Sequence, residues 1–147
     1  MSRSVRDQLE AILGRIGDGA PVFTRLLAGT ARAEADAADA RSAAGLSLSP
    51  LDGTIVSIKD LFDVRGETTW AGSSLLKGAA PAAQDAPIVA RLRQAGAVII
   101  GKTNMSEFAF SGVGLNGTFG TPGNALDAAR IPGGSSSGGA VSVAQGS

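Results

Sequence analysis

The chain has 147 residues, 44% of them hydrophobic, and its 13 basic and 13 acidic side chains cancel. That length supports one domain with a core and excludes two comfortable ones, and the dispersed, balanced charge excludes an electrostatic surface for nucleic acid or anionic membrane. Cysteine and histidine are absent, which excludes thiol nucleophiles, disulfides, the usual zinc sites and any Ser-His-Asp arrangement within the chain, so acid–base chemistry falls to Lys, Asp, Glu or Ser. Met1 to Asp7 leads into no apolar signal core, and no run approaches the ~18 apolar residues of a membrane span. The expectation is a cytoplasmic protein with no membrane partner and a neutral or small substrate.

Val5, Leu9, Ile12, Leu13 and Ile16 recur at helical spacing, so residues 4–16 read as an amphipathic helix stopping at Gly17. A Gly17-Asp18-Gly19 turn follows, and residues 22–28 read as a short helix. Alanine dominates from Thr30 to Ala44, which predicts a second helix ended by Gly45, with Arg32, Glu34, Asp36, Asp39 and Arg41 on a solvated face.

The texture changes at Pro50. Asp52-Gly53 is a turn signal, and the β-branched run Thr54-Ile55-Val56-Ser57-Ile58 predicts a buried strand. Lys59 and Asp60 then fall at its carboxyl end, where α/β folds commonly place their sites. The Asp63–Ser74 connection, with Trp70 inside it, lacks a period and reads as a covering loop. Asp85-Ala86-Pro87 opens a helix, with Ile88, Val89 and Leu92 as its buried stripe, and Ala97-Val98-Ile99-Ile100 is a short buried strand. This alternation predicts a sheet flanked by helices. Asn104 to Phe110 reads as a short helix, a glycine-rich loop runs through Gly123, and Ala140-Val141-Ser142-Val143-Ala144 opens a final helix.

Two motifs compete for the chemistry. Gly96-Ala97-Val98-Ile99-Ile100-Gly101-Lys102-Thr103 satisfies the phosphate-loop pattern G-x4-G-K-T. Its four intervening residues read as a strand, however, which would separate the glycines by ~13 Å and prevent one cradle. Nucleotide binding through Gly96–Thr103 is therefore a remote alternative, and Lys102 reads as a structural residue at a strand end. Ile131-Pro132-Gly133-Gly134-Ser135-Ser136-Ser137-Gly138-Gly139 is different: adjacent hydroxyls framed by glycines let a small ligand approach the backbone while serine supplies a donor, an acceptor or a nucleophile.

Three stretches, Gly53 to Asp60, Gly101 to Ala109 and Pro132 to Gly138, together resemble the amidase signature family, which includes bacterial amidases and the A subunit of the glutamyl-tRNA amidotransferase. The likeness runs from about residue 46 to the end. It implies an α/β fold, the N-terminal part of a mixed β-sheet flanked by helices, with residues 1–45 as N-terminal helices and 46–147 as the start of the core. It also implies hydrolysis of a non-peptide amide bond by a Ser-Ser-Lys mechanism without cofactor or metal. Lys59 matches the lysine and Ser135 the bridging serine, which follows a cis peptide bond in that family. Ala109 and Ser136 match positions on the substrate side. Lysine ordinarily titrates near ~10.4, so as a base Lys59 must sit where burial favours its neutral form.

The family's nucleophile lies on a later glycine-serine loop, roughly twice as far beyond Ser135 as the 12 residues that remain here. Ser147 lacks the surrounding motif. The chain is therefore expected to be an incomplete amidase domain, inactive alone, that self-associates or pairs with a complementing C-terminal chain. The competing reading is a non-catalytic remnant or interaction module.

Overall fold

The computed structural model describes residues 3–17 and 21–146; most of the expected Gly17–Gly19 turn, and Ser147, lie outside them. Helix α1 (Val5–Leu13) opens on Ser4, whose Oγ accepts the Asp7 N–H at 3.0 Å. Helix α2 (Ala28–Ala43) buries Ala31, Ala35 and Ala38, small enough to let α1 and the sheet approach closely. The five charges expected on a solvated face of α2 do stay partly or fully open to solvent, and they also fasten the helix to its neighbours. Asp39 accepts the Val5 and Arg6 N–H groups at the open end of α1. Arg32 binds Glu10, Asp36 binds Arg6, and Arg41 binds Asp52. Glu34 pairs with Arg93 and accepts the Ile99 N–H at 2.7 Å.

Three strands form one sheet in the order β1 (Phe23–Leu26), β3 (Val98–Thr103), β2 (Ile55–Lys59), with β1 antiparallel and β2 parallel to β3. All six residues of β3 are buried. Its side chains alternate between faces: Val98 and Ile100 pack with Leu9, Ala31 and Ala35 beneath α1 and α2, while Ile99 packs with Ile58, Val64 and Val89 beneath α3 (Pro87–Gln94).

The reading of residues 22–28 as a helix is corrected. Phe23, Leu26 and Leu27 have helical spacing, but the edge of β3 recruits their backbone: Leu27 N–H donates to the Ile100 carbonyl at 2.8 Å, and Val22 C=O accepts the Asn104 N–H at 2.9 Å. Tertiary pairing overrides the local pattern. Strand β2 is half-buried at the sheet edge rather than buried throughout. Asp85 does not cap α3; Ala86 occupies the cap, while the Asp85 carboxylate binds the Arg65 N–H and the Arg93 guanidinium. Ile88 faces solvent, unlike Val89. The 104–110 stretch contributes only a single 3₁₀ turn at Glu107–Ala109, because Phe108 and Ala109 adopt left-handed φ of 47° and 58°.

The phosphate-loop pattern is resolved by β3, which runs through Gly101, Lys102 and Thr103. A Cβ on Gly101 would lie 2.5 Å from the Arg25 carbonyl oxygen, so the glycine admits strand β1. No helix among the described residues is long and apolar enough to cross a membrane.

Candidate active site

The site lies where β2 ends. β-Branched residues carry the strand to Lys59, and Phe62 N–H donates back to the Lys59 carbonyl at 3.0 Å, turning the chain away. Opposite stands the loop from Pro132 to Ser136, immediately before helix α4 (Ser137–Gln145). Lys59 Nζ and Ser135 Oγ are 2.6 Å apart, and the Gly134–Ser135 peptide bond is cis. Burial pushes the pKa of the Lys59 ammonium below its ordinary value, the direction that favours a neutral amine.

The serine loop is fixed by its backbone. Ser135 C=O accepts the Ser106 N–H at 3.0 Å, and Gly134 N–H donates to the Gly112 carbonyl at 2.8 Å. A Cβ on Gly134 would lie 2.7 Å from the Gly114 nitrogen, so two backbones touch there. The Ser135 hydroxyl is thereby left to Lys59 while its carbonyl is held elsewhere.

Ala109 is half-buried, and its N–H donates to the Ser106 carbonyl at 2.9 Å, so Ser106 joins Ala109 to the Ser135 loop. Ser136 stands exposed at the start of α4 without a side-chain capping bond. The structure thus brings Lys59 and Ser135 into contact, links Ala109 through one residue, and leaves Ser136 open to solvent. Ser137, the next residue, is fully buried, and its Oγ has no hydrogen-bond partner among the described residues.

Sequence reasoning missed two buried amides that tie together the segments around the site. Asn104 donates to the carbonyls of Pro21 at 2.7 Å and Gly120 at 2.8 Å, and Asn116 to those of Gly72 at 2.9 Å and Met105 at 2.7 Å. An asparagine directly after a strand and another inside a glycine-rich loop were the available signals, since buried amides are usually tied to backbone. Among the described residues no group of three or more His, Cys, Asp or Glu could hold a metal ion.

The Amidase family model matches residues 7–147. The chain is 47% identical over 139 residues to the A subunit of the glutamyl-tRNA(Gln) amidotransferase of Anaeromyxobacter dehalogenans, covering 95% of this chain and 27% of that protein. It is 45% identical over 146 residues to AtzE, a subunit of the 1-carboxybiuret hydrolase of Pseudomonas sp. strain ADP, covering 97% and 32%. The solved native peptide amidase of Stenotrophomonas maltophilia superposes with a TM-score of 0.81 at 34% identity, covering 96% of this chain and 31% of that one. The chain thus spans about a third or less of the length of each.

Proposed function

The chain belongs to the amidase family, and from that premise we propose that it carries the Lys–Ser half of a Ser-cisSer-Lys amide hydrolase site, acting on a small amide substrate. The observation that carries this reading is the 2.6 Å contact between Lys59 and Ser135, at a strand end where burial disfavours the ammonium. With Lys59 neutral, Ser135 O–H donates along that contact and Ser135 Oγ becomes able to accept a proton from a second serine. That serine's oxygen then attacks the amide carbonyl, the relay returns the proton to the departing nitrogen, and water releases the acyl group.

In this reading the attacking serine and the donors that stabilise the oxyanion are supplied by polypeptide other than these 147 residues. The chain alone does not complete the reaction. A complementing segment has a place to join, because among the described residues β2 pairs on one side only, and Lys59 projects from its end. In this reading residues 46–147, joined by strand β1 (Phe23–Leu26) from the N-terminal segment, form the start of the catalytic core, Ala109 and Ser136 lie on the substrate side, and the protein works in the cytoplasm.

The test is a chimera in which this chain replaces the matching segment of the Anaeromyxobacter protein, labelled with a fluorophosphonate that modifies activated serines. The chimera should label, and Lys59→Ala or Ser135→Ala should slow labelling by about 10²–10⁴-fold, the usual range for a lost proton relay. Labelling should also rise with pH as Lys59 deprotonates, with a midpoint below that of an ordinary lysine. A folded chimera that does not label leaves a non-catalytic scaffold.

A further inference from the structure

Asp60 and Lys102 take no part in the relay, yet each is only 1% exposed. Lys102 Nζ lies 2.8 Å from Asp60 Oδ1 and donates to Thr69 Oγ1 at 2.9 Å and to the Thr68 carbonyl at 3.3 Å. Asp60 Oδ2 has no hydrogen-bond partner among the described residues. A buried ion pair is weak evidence for stability, because desolvation offsets much of the attraction. Its position suggests another use.

Asp60 directly follows Lys59, the last residue of β2, so the two side chains leave adjacent points of one backbone. Lys59 reaches Ser135, and Asp60 is held by Lys102. The backbone between them is pinned as well: Asp60 N–H donates to the Thr103 carbonyl at 3.1 Å, and Asp60 C=O accepts the Ala71 N–H at 2.9 Å. The lysine side chain is a flexible four-carbon stem, so where its amine rests depends on where the strand stops and which way its end faces. The anchor comes from the neighbouring strand and draws the 68–70 segment with it.

We propose that Lys102, acting through Asp60, is a positioning residue: it bolts the end of β2 to β3 so that the Lys59 amine stays on Ser135. This inference rests on the Lys59–Ser135 reading above. It also explains the strand-end lysine of the apparent phosphate loop, whose cation meets a carboxylate of its own chain. Other charges nearby are already engaged, Arg25 with Glu67 at 3.2 Å and Glu107 with Ser73 at 2.6 Å.

The test is a pH titration of the Lys59 ε-carbon by NMR in the 147-residue chain labelled with ¹³C-lysine. The chain contains only Lys59, Lys77 and Lys102, so the resonances are readily assigned. Ser135→Ala should move the Lys59 midpoint in the wild-type background. In folded Lys102→Met the midpoint should rise toward the ordinary lysine range and stop responding to Ser135→Ala. The double variant Asp60→Asn with Lys102→Met, which removes both charges, should behave the same way and serves if the single variant does not fold. A purely structural pair predicts otherwise: a wild-type midpoint still moved by Ser135→Ala in the folded variants overturns the inference. If Ser135→Ala leaves Lys59 unmoved in the wild-type chain, the Lys59–Ser135 reading fails first and the inference falls with it.

Discussion

At the scale of single residues, position along a strand decides what each lysine does. Lys59 ends β2 half-buried and meets a serine, whereas Lys102 near the end of β3 is buried against a carboxylate. Lys59 was legible because a β-branched run leads straight into it. The depth of Lys102 was not, since it depends on the 68–70 segment folding over from a distant part of the chain. Gly101 illustrates the same limit: in sequence it looks like part of a phosphate cradle, and in the fold it makes room for another strand. Gly101→Ala should push β1 away from β3 and cost about 1–3 kcal/mol, as overpacked sites do. Urea denaturation checks this, and an unchanged midpoint would show that β1 yields freely.

At the scale of elements, α1 and α2 form through propensity and join through ion pairs. Arg32, with Arg6, holds the Glu10 carboxyl at about 2, and Arg41, helped by the Leu48 N–H, holds Asp52 at about 2. Both lie below their ordinary values, 4.5 for Glu10 and 3.8 for Asp52. Carboxylates depressed in the folded state contribute stability that is present above the ordinary value and lost as pH falls through the folded one. Thermal melting should therefore weaken between about pH 5 and about pH 2, and Arg41→Met should flatten that fall. Identical slopes for the two proteins would remove Asp52 from the explanation. Because these groups lie near solvent, the effect is modest and salt-sensitive. Helices α1 and α3 were legible from periodicity, α2 from its alanines, and β2 with the first half of β3 from β-branching. Strand β1 was not, because its identity is set by a partner some 78 residues away, and neither was the broken 104–110 turn, where Asn104 and Ser106 spend their groups on other segments.

At the scale of the molecule, the sheet ends at β2, which has no outer partner among the described residues. Beside it runs a groove of about 460 Å³ lined by Ile12, Ile55, Ile100 and Val143, and Val143 is 79% exposed. An open strand edge next to apolar surface favours pairing between chains. The isolated 147-residue chain should self-associate in sedimentation velocity, and Val143→Glu should shift it toward monomer; a monomeric wild type would show that the edge is protected. The same edge lies close to Lys59, which links assembly to chemistry. The measurement that bears most directly on function is fluorophosphonate labelling of the chimera that supplies the downstream polypeptide. Labelling that depends on both Lys59 and Ser135, with none in the isolated chain, is the predicted result. Labelling that survives Lys59→Ala and Ser135→Ala would contradict the relay.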